Sequence, residues 1–385
     1  MTPAPASARN SHSPANEPAG APVIISRGDS GSARRSIIEC LVSLSERLRQ
    51  RISQEGPVSF RDFMEAALYD PEEGYYATGA RIGEGGDFVT SPHVTPAVAA
   101  ALAHRFRRET KGFEGAVDFV EAGAGEGRFL KDFAAALARE DKAFAGRVRL
   151  TAIERAPIAR ERLAALRVSS RVLESADELP EASVSGWIFS NELYDALPVA
   201  RVYGTADRLS ELFVGIDAQG FTWVRRPAPE AYRDYLAGFG VKLEAGQTAE
   251  IAPAAVPLHR RLSRALARGF LVAFDYGHRA PVLYHATARR NGTIAVHTRG
   301  ARRADPLARP GEVDLTAHVN WDGLIRAGEQ EGLTTLGITR QGRFLVESGL
   351  FDFVASEAEK WRAYRIVDPD AMGDELSVLV QTRGV

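Results

Sequence analysis

The feature that most restricts how this chain can fold is a short, mainly apolar strand that runs straight into a glycine-rich turn and then into a helix. Val117 to Val120 form the strand, Glu121 ends it, Gly123, Gly125 and Gly127 make the turn, and a helix is expected from Arg128 to about Arg139. The rhythm repeats. Val148 to Ile153 reads as a strand ending in Glu154, followed by a helix from Pro157 to Leu166 with proline in its permitted first turn. Trp187 to Ser190 and Phe270 to Phe274 are further strands, the last running into Asp275, and Leu376 to Gln381 is a candidate final strand. Strands separated by helices predict βαβ units and a mostly parallel sheet, an α/β fold of the Rossmann-like kind.

At 385 residues there is room for more than one folding unit, so the segments outside this rhythm need their own reading. Residues 1–35 are rich in Ala, Pro, Ser and Gly with few large apolar side chains, which predicts a disordered tail. No apolar stretch in it resembles a secretory signal, so a cytoplasmic location is expected, with an organelle transit peptide as the alternative. Residues 36–112 read as an N-terminal helical segment: Ile37 to Leu48 are spaced helically, and Ser59 is a plausible N-cap for Phe60, Phe63, Met64 and Leu68. Helical pattern resumes from Thr95 to Arg108. Residues 113–385 would be the Rossmann-like domain, interrupted by a partly β insertion at about 202–257 that contains a hairpin turning at Asp217 to Gly220. A second, arginine-rich interruption runs from about 281 to 311, after which a helical pattern follows Asp314 and returns near Phe344 to Ala355.

Composition narrows the chemistry. A net charge of −2, spread along the chain, gives no general nucleic-acid surface. Cys40 is the single cysteine, so neither an internal disulfide nor a cysteine-based zinc site can form, and the histidines lack ligand spacing; no metal is expected. No apolar run reaches the roughly 20 residues of a membrane span.

Glycines after a strand let the backbone turn tightly and approach a ligand, while the helix start offers free N–H groups. Dinucleotide sites space them G-x-G-x-x-G around a pyrophosphate. Here Gly123, Gly125 and Gly127 are spaced G-x-G-x-G and opened by Glu121, which suits S-adenosylmethionine, with its cationic sulfonium and amine, better than a pyrophosphate. A nicotinamide oxidoreductase is therefore disfavoured, although a plain strand-to-helix turn would also use small residues. Glu154 stands where such folds place a carboxylate on the ribose hydroxyls; a solvated strand end is the other reading. Asn191, Glu192 and Asp195 follow a strand directly and would face the same crevice. Carboxylates there could orient a cationic nitrogen and accept its proton, or they could simply cap a helix start. The Gly-rich stretch at 74–92 reads as a lid or a disordered loop, and Asp275 to Gly277 as a site edge or a strand terminus.

Taken in order, several motifs resemble the MidA family: PVSF at 57–60, YDPEEGYY at 69–76, IGEGGDFVTSP at 82–92, NELYDALPV at 191–199, DYG at 275–277, PGEVDLTAHV at 310–319 and QGRFL at 341–345. The resemblance implies a class I methyltransferase fold with an added N-terminal helical segment. It implies S-adenosylmethionine bound by Glu121, Gly123, Gly125, Gly127 and Glu154, with Asn191, Glu192 and Asp195 nearby. It also makes the Gly-rich loop part of the site through Asp87, Thr90 and Ser91. Family members methylate protein arginine, in the best-known case during assembly of respiratory NADH dehydrogenase. The implied partner is thus a protein substrate, a respiratory-complex subunit among the candidates, with Glu192 and Asp195 as catalytic residues. Two departures stand out. An alanine-rich run, Ala97 to Ala103, replaces a Phe-Gly pair, and Thr298 and Gly300 stand where the family carries arginine and histidine. The second departure keeps open a non-catalytic, cofactor-binding assembly protein of the same fold.

Overall fold

Seven strands form the spine of the protein; the computed structural model describes residues 42–78, 94–166, 168, 170–297 and 305–385. In chain order the strands are β1 (Val117–Ala122), β2 (Val148–Ile153), β3 (Ser170–Leu173), β4 (Val184–Asn191), β5 (Leu266–His278), β6 (Thr334–Arg340) and β7 (Leu376–Arg383). β1 pairs in parallel with β2 and with β4, β3 extends the sheet beyond β2, and β5 lies parallel to β4. β7 runs antiparallel between β5 and β6, giving the order β6-β7-β5-β4-β1-β2-β3. The expected α/β architecture is present. Its two unforeseen strands, β3 and β6, are the sheet edges, where one-sided burial leaves no continuous apolar run to read.

Both faces of the sheet are covered, and the six residues of β1 are all buried. Val117 and Phe119 point into a core shared with the helices Ala97–Thr110 and Arg128–Glu140, where the Phe119 and Phe133 rings stack at 3.9 Å. Val120 and Ala122 belong to the opposite core, with Leu262 and Ala265 of the helix Ala255–Ala265. The alanine-rich run finds its reason here: every residue from Ala97 to Ala103 is buried, and small side chains let that helix lie close on its neighbour.

The N-terminal residues serve a different core. Ser59 caps the helix Phe60–Tyr69 as expected, its hydroxyl accepting from the Asp62 N–H at 3.1 Å. The two-residue strand Val58–Ser59 pairs with Leu209–Asp217, which forms the expected hairpin with Gly220–Pro227 and pairs also with Ala200–Gly204; Thr248–Ile251 completes this antiparallel sheet. Phe60 packs on Trp223 at 5.1 Å and Phe63 on Phe221 at 5.3 Å. Residues 36–112 therefore do not pack as one segment: helices up to Tyr69 join the core of the inserted sheet, and the helix Ala97–Thr110 joins that of the main sheet. The helix expected after Asp314 is present but begins only at Trp321: Asp314–Thr316 is a strand paired with Ala295–His297, and Val319–Asn320 pairs with the end of β5. β-branched Val313, Thr316 and Val319 favour the extended form there. No described helix is long and apolar enough to cross a membrane.

Phe63 is fully buried between the N-terminal helix and the inserted sheet. Phe63→Ala should lower the unfolding free energy by about 3–5 kcal/mol, measured by urea denaturation, because the cavity sits where two elements meet. A change under about 1 kcal/mol would mean that the helix contributes little to that core.

Candidate active site

β1 has β2 on one side and β4 on the other, so the chains leaving β1 and β4 diverge and open a crevice at their carboxyl ends. The glycine loop lies there. Gly127 begins the helix with φ +77°, and a Cβ on it would fall 2.3 Å from Leu163 Cδ2, so glycine is required for loop and helix to pack. Gly125, at φ +53°, has the opposite character: a Cβ there would meet nothing within 4 Å, so its outer side is open.

Two carboxylates frame this loop. Glu154 is not a free strand-end acid, since its two oxygens accept the N–H groups of Gly125 and Ala156, each at 2.8 Å. It thereby ties the end of β2 to the loop after β1. Glu121 is buried, and its Oε2 has no hydrogen-bond partner among the described residues. Burial, with the charge of Glu154, pushes its carboxyl well above the usual range.

The other half of the crevice is acidic. β4 ends at Asn191, whose amide donates to Glu192 Oε1 at 3.0 Å. Glu192 adopts φ +50°, unusual for a non-glycine residue and a mark of a constrained position. Just beyond it, Asp195 is buried with Oδ1 unpartnered among the described residues. Burial, then Asp275 and Asp314, raise Asp195 well above the ordinary carboxylate range, and burial and Asp195 do the same for Glu192. Asp275, three residues before the end of β5 and fully buried, accepts the N–H groups of Leu193 (3.1 Å), Tyr194 (2.8 Å) and Tyr276 (2.9 Å); burial still pushes it up to about 7. Of the two readings of the DYG motif, the site edge is what the geometry supports.

The structure thus brings Glu121, Gly123, Gly125, Gly127 and Glu154 together, with Asn191, Glu192 and Asp195 across the same crevice. Asp87, Thr90 and Ser91, like Thr298 and Gly300, lie outside the described residues. Sequence reasoning missed Asp314, Tyr69 and Tyr76. Tyr76 donates to Asp314 at 3.0 Å, Tyr69 donates to the Ala196 carbonyl at 3.1 Å, and the two rings stack at 5.3 Å. Only their presence in two of the motifs could have flagged them. Among the described residues there is no group of three or more His, Cys, Asp or Glu placed to hold a metal ion.

Groups whose folded pKa lies above the unfolded one favour the fold in acid, an effect complete below about pH 4 and lost as the pH rises through the folded value. For Asp275 that value is about 7. The thermal midpoint of the ligand-free protein should therefore carry a decline from about pH 4 to about pH 7 due to this cluster. Asp195→Asn, which removes one acid, should flatten the decline and be the more stable form at pH 8. Parallel pH curves for the two proteins would show that the carboxyl groups are not coupled.

Known proteins share the fold and are similar in sequence. A Burkholderia thailandensis protein crystallised with S-adenosyl-homocysteine superposes with a TM-score of 0.79, at 30% identity, covering 94% of this chain and 96% of its own. A native crystal structure of a Burkholderia thailandensis protein gives 0.77 at 29% identity, with the same coverage. The human mitochondrial protein arginine methyltransferase NDUFAF7 is 25% identical over 334 residues, 79% of this chain and 72% of its own length. Its Drosophila melanogaster homologue is 23% identical over 397 residues, 89% and 85% of the two chains. A family model described as "Putative S-adenosyl-L-methionine-dependent methyltransferase" matches residues 97–339. With that match spanning more than half of its length, the chain belongs to this family of S-adenosylmethionine-dependent methyltransferases.

Proposed function

We propose that this enzyme methylates the guanidinium of a protein arginine, held at the carboxylate cluster beside the glycine loop. The observation that carries the reading is Asp195, a buried carboxylate whose Oδ1 has no hydrogen-bond partner among the described residues, in the company of Glu192, Asp275 and Asp314. Such a cluster ionises readily only when a cation enters it. A guanidinium stays charged and offers a planar set of donors that matches carboxylates. The human and fly relatives, both named protein arginine methyltransferases, support the same acceptor.

On the cofactor side the residues fit S-adenosylmethionine. Glu121 offers a buried oxygen, without a hydrogen-bond partner among the described residues, that suits an amine, and the outer side of Gly125 is open. We assign Glu121, Gly123, Gly125, Gly127 and Glu154 to the cofactor, with Asn191 between the halves and Asp87, Thr90 and Ser91 added on the family resemblance. When bound, the cofactor supplies an electrophilic methyl group on its sulfonium. Glu192 and Asp195 hold the guanidinium, orient one nitrogen and take its proton as the new N–C bond forms. Tyr69 and Tyr76 close the acidic half and keep water from it.

The partner is then a protein, and a respiratory-complex subunit is the candidate that the family resemblance offers. The relatives give no support to the cytoplasmic location expected from the sequence; their mitochondrial names favour the alternative, for which residues 1–35 would be a transit peptide.

Radiolabelled S-adenosylmethionine, added with the enzyme to lysate of cells lacking it, should place label on arginine of a discrete protein. Label on another side chain would sink the arginine assignment, and cofactor binding with no label at all would favour the non-catalytic assembly role. Gly125→Asp should weaken cofactor binding at least ~100-fold by calorimetry, since it charges and fills the open side of the loop. Unchanged affinity would displace the site. Glu192→Gln should leave that affinity intact and slow methylation on the order of 100-fold or more.

A further inference from the structure

A fully buried histidine has no part in the account above. His259 lies in the helix Ala255–Ala265, and both of its ring nitrogens are engaged. Nδ1 is 2.8 Å from the Tyr194 hydroxyl, and Nε2 is 2.7 Å from Gln381 Oε1 on β7. The Gln381 amide nitrogen donates to the Ile325 carbonyl at 3.1 Å and to Thr335 Oγ1 on β6 at 2.9 Å. A carbonyl can only accept, so the amide is turned with its oxygen towards His259. That oxygen accepts in turn, so Nε2 carries the proton, Nδ1 is bare, and the Tyr194 hydroxyl donates to it. Burial brings His259 down to about 4, against the bond to Gln381, so the ring is neutral at physiological pH. The relay also explains a glycine inside the helix Trp321–Gln330, where that residue is ordinarily unfavourable: a Cβ on Gly328 would fall 2.1 Å from Gln381 Oε1.

We infer that His259 is a positioning residue for methyl transfer: by accepting the Tyr194 hydroxyl it fixes that side chain, and with it the placement of Glu192 and Asp195 against the methyl acceptor. The inference rests on the reading that puts the acceptor at those two carboxylates. Tyr194 stands between them in the chain, and its own N–H is held by Asp275 at 2.8 Å. Its ring runs into the core formed with Leu197, Trp321, Leu324 and Leu379. The loop is therefore gripped at one residue from two directions, by the backbone at Asp275 and by the side chain at His259. Apolar contact alone lets a ring shift in depth or rotate at little cost, whereas a hydrogen bond to a fixed nitrogen is good only near one distance and angle. A misplacement of about 1 Å at the reacting groups is enough to cost on the order of 100-fold in rate.

Three variants separate positioning from packing. His259→Leu removes both nitrogens, His259→Asn keeps an oxygen able to accept from Tyr194, and Leu262→Ala, buried one turn along the same helix, loosens the core but leaves the relay intact. Rates are read with saturating radiolabelled S-adenosylmethionine and lysate lacking the enzyme, at a temperature where each variant is folded by circular dichroism. His259→Leu should lower the initial rate of labelling about 10- to 100-fold with cofactor affinity unchanged by calorimetry. His259→Asn should stay within about fivefold of the parent, and Leu262→Ala within twofold although its thermal midpoint falls. Tyr194→Phe should match His259→Leu, and the two together should cost no more than either, since one link is lost in each case. A His259→Leu rate within twofold of the parent, or an equal loss in Leu262→Ala, overturns the inference. A second measurement needs no variant: the ¹⁵N resonances of His259 in the parent at pH 7 should be those of a neutral ring protonated at Nε2, and the other tautomer or an imidazolium overturns the relay. If the parent labels nothing, the reading of the acceptor site fails first. If it labels protein and ignores the loss of the nitrogens, only the role of His259 fails.

Discussion

A fully buried carboxylate, Asp275, holds the ends of β4 and β5 in one arrangement by accepting three backbone N–H groups, two from the loop after β4 and one from its own neighbour. In a buried setting no water competes for these hydrogen bonds, which favour the ionised form of Asp275 against the burial that opposes it. With Leu193 and Tyr194 pinned, Asp195 has no freedom to swing towards solvent, and Glu192 is left in its left-handed conformation. The cost is electrostatic: several carboxyl groups are brought together away from water, and their affinity for protons rises accordingly. On the proposed function, a cation entering the cluster would relieve that cost.

The acidic half is assembled from parts of the chain that have little in common. Glu192 and Asp195 come from the loop after β4, Tyr69 and Tyr76 from the N-terminal helical segment, and Asp314 from the stretch after the arginine-rich interruption. The inserted antiparallel sheet joins them. It takes the N-terminal helix into its own core through Phe60 and Phe63, and through Arg201, Glu250 and Thr293 it reaches the backbone of His318. Arg155, next to Glu154, extends the link to the cofactor side: its guanidinium lies 3.8 Å from the Tyr69 ring centre and pairs with Glu65. The cofactor half, by contrast, is local to β1, β2 and the turns that follow them.

This difference explains how much could be read in advance. The strands β1, β2, β4 and β5, the glycine loop and the acids at the strand ends were legible because each depends on a few consecutive residues: buried parallel strands are apolar throughout, and a turn at positive φ calls for glycine. The edge strands β3 and β6 were not, since half-exposed strands leave a weak pattern. Ser59 was recognised as a cap because capping is a contact over three residues. The division of residues 36–112 between two cores was not, because nothing local distinguishes a helix that packs on one sheet from a helix that packs on another.

What the amino-acid order determined by itself was the βαβ core, the G-x-G-x-G turn and thus the half of the crevice that suits S-adenosylmethionine, all short-range consequences of periodicity and backbone geometry. What only the tertiary structure decided was the other half. Glu154 became a brace for the loop, Asp195 became a carboxylate with one oxygen unpartnered among the described residues, and Tyr76 and Asp314, more than 200 residues apart, were brought to the same place. Burial and the proximity of like charges set the chemistry of those groups, and both are properties of packing between distant segments.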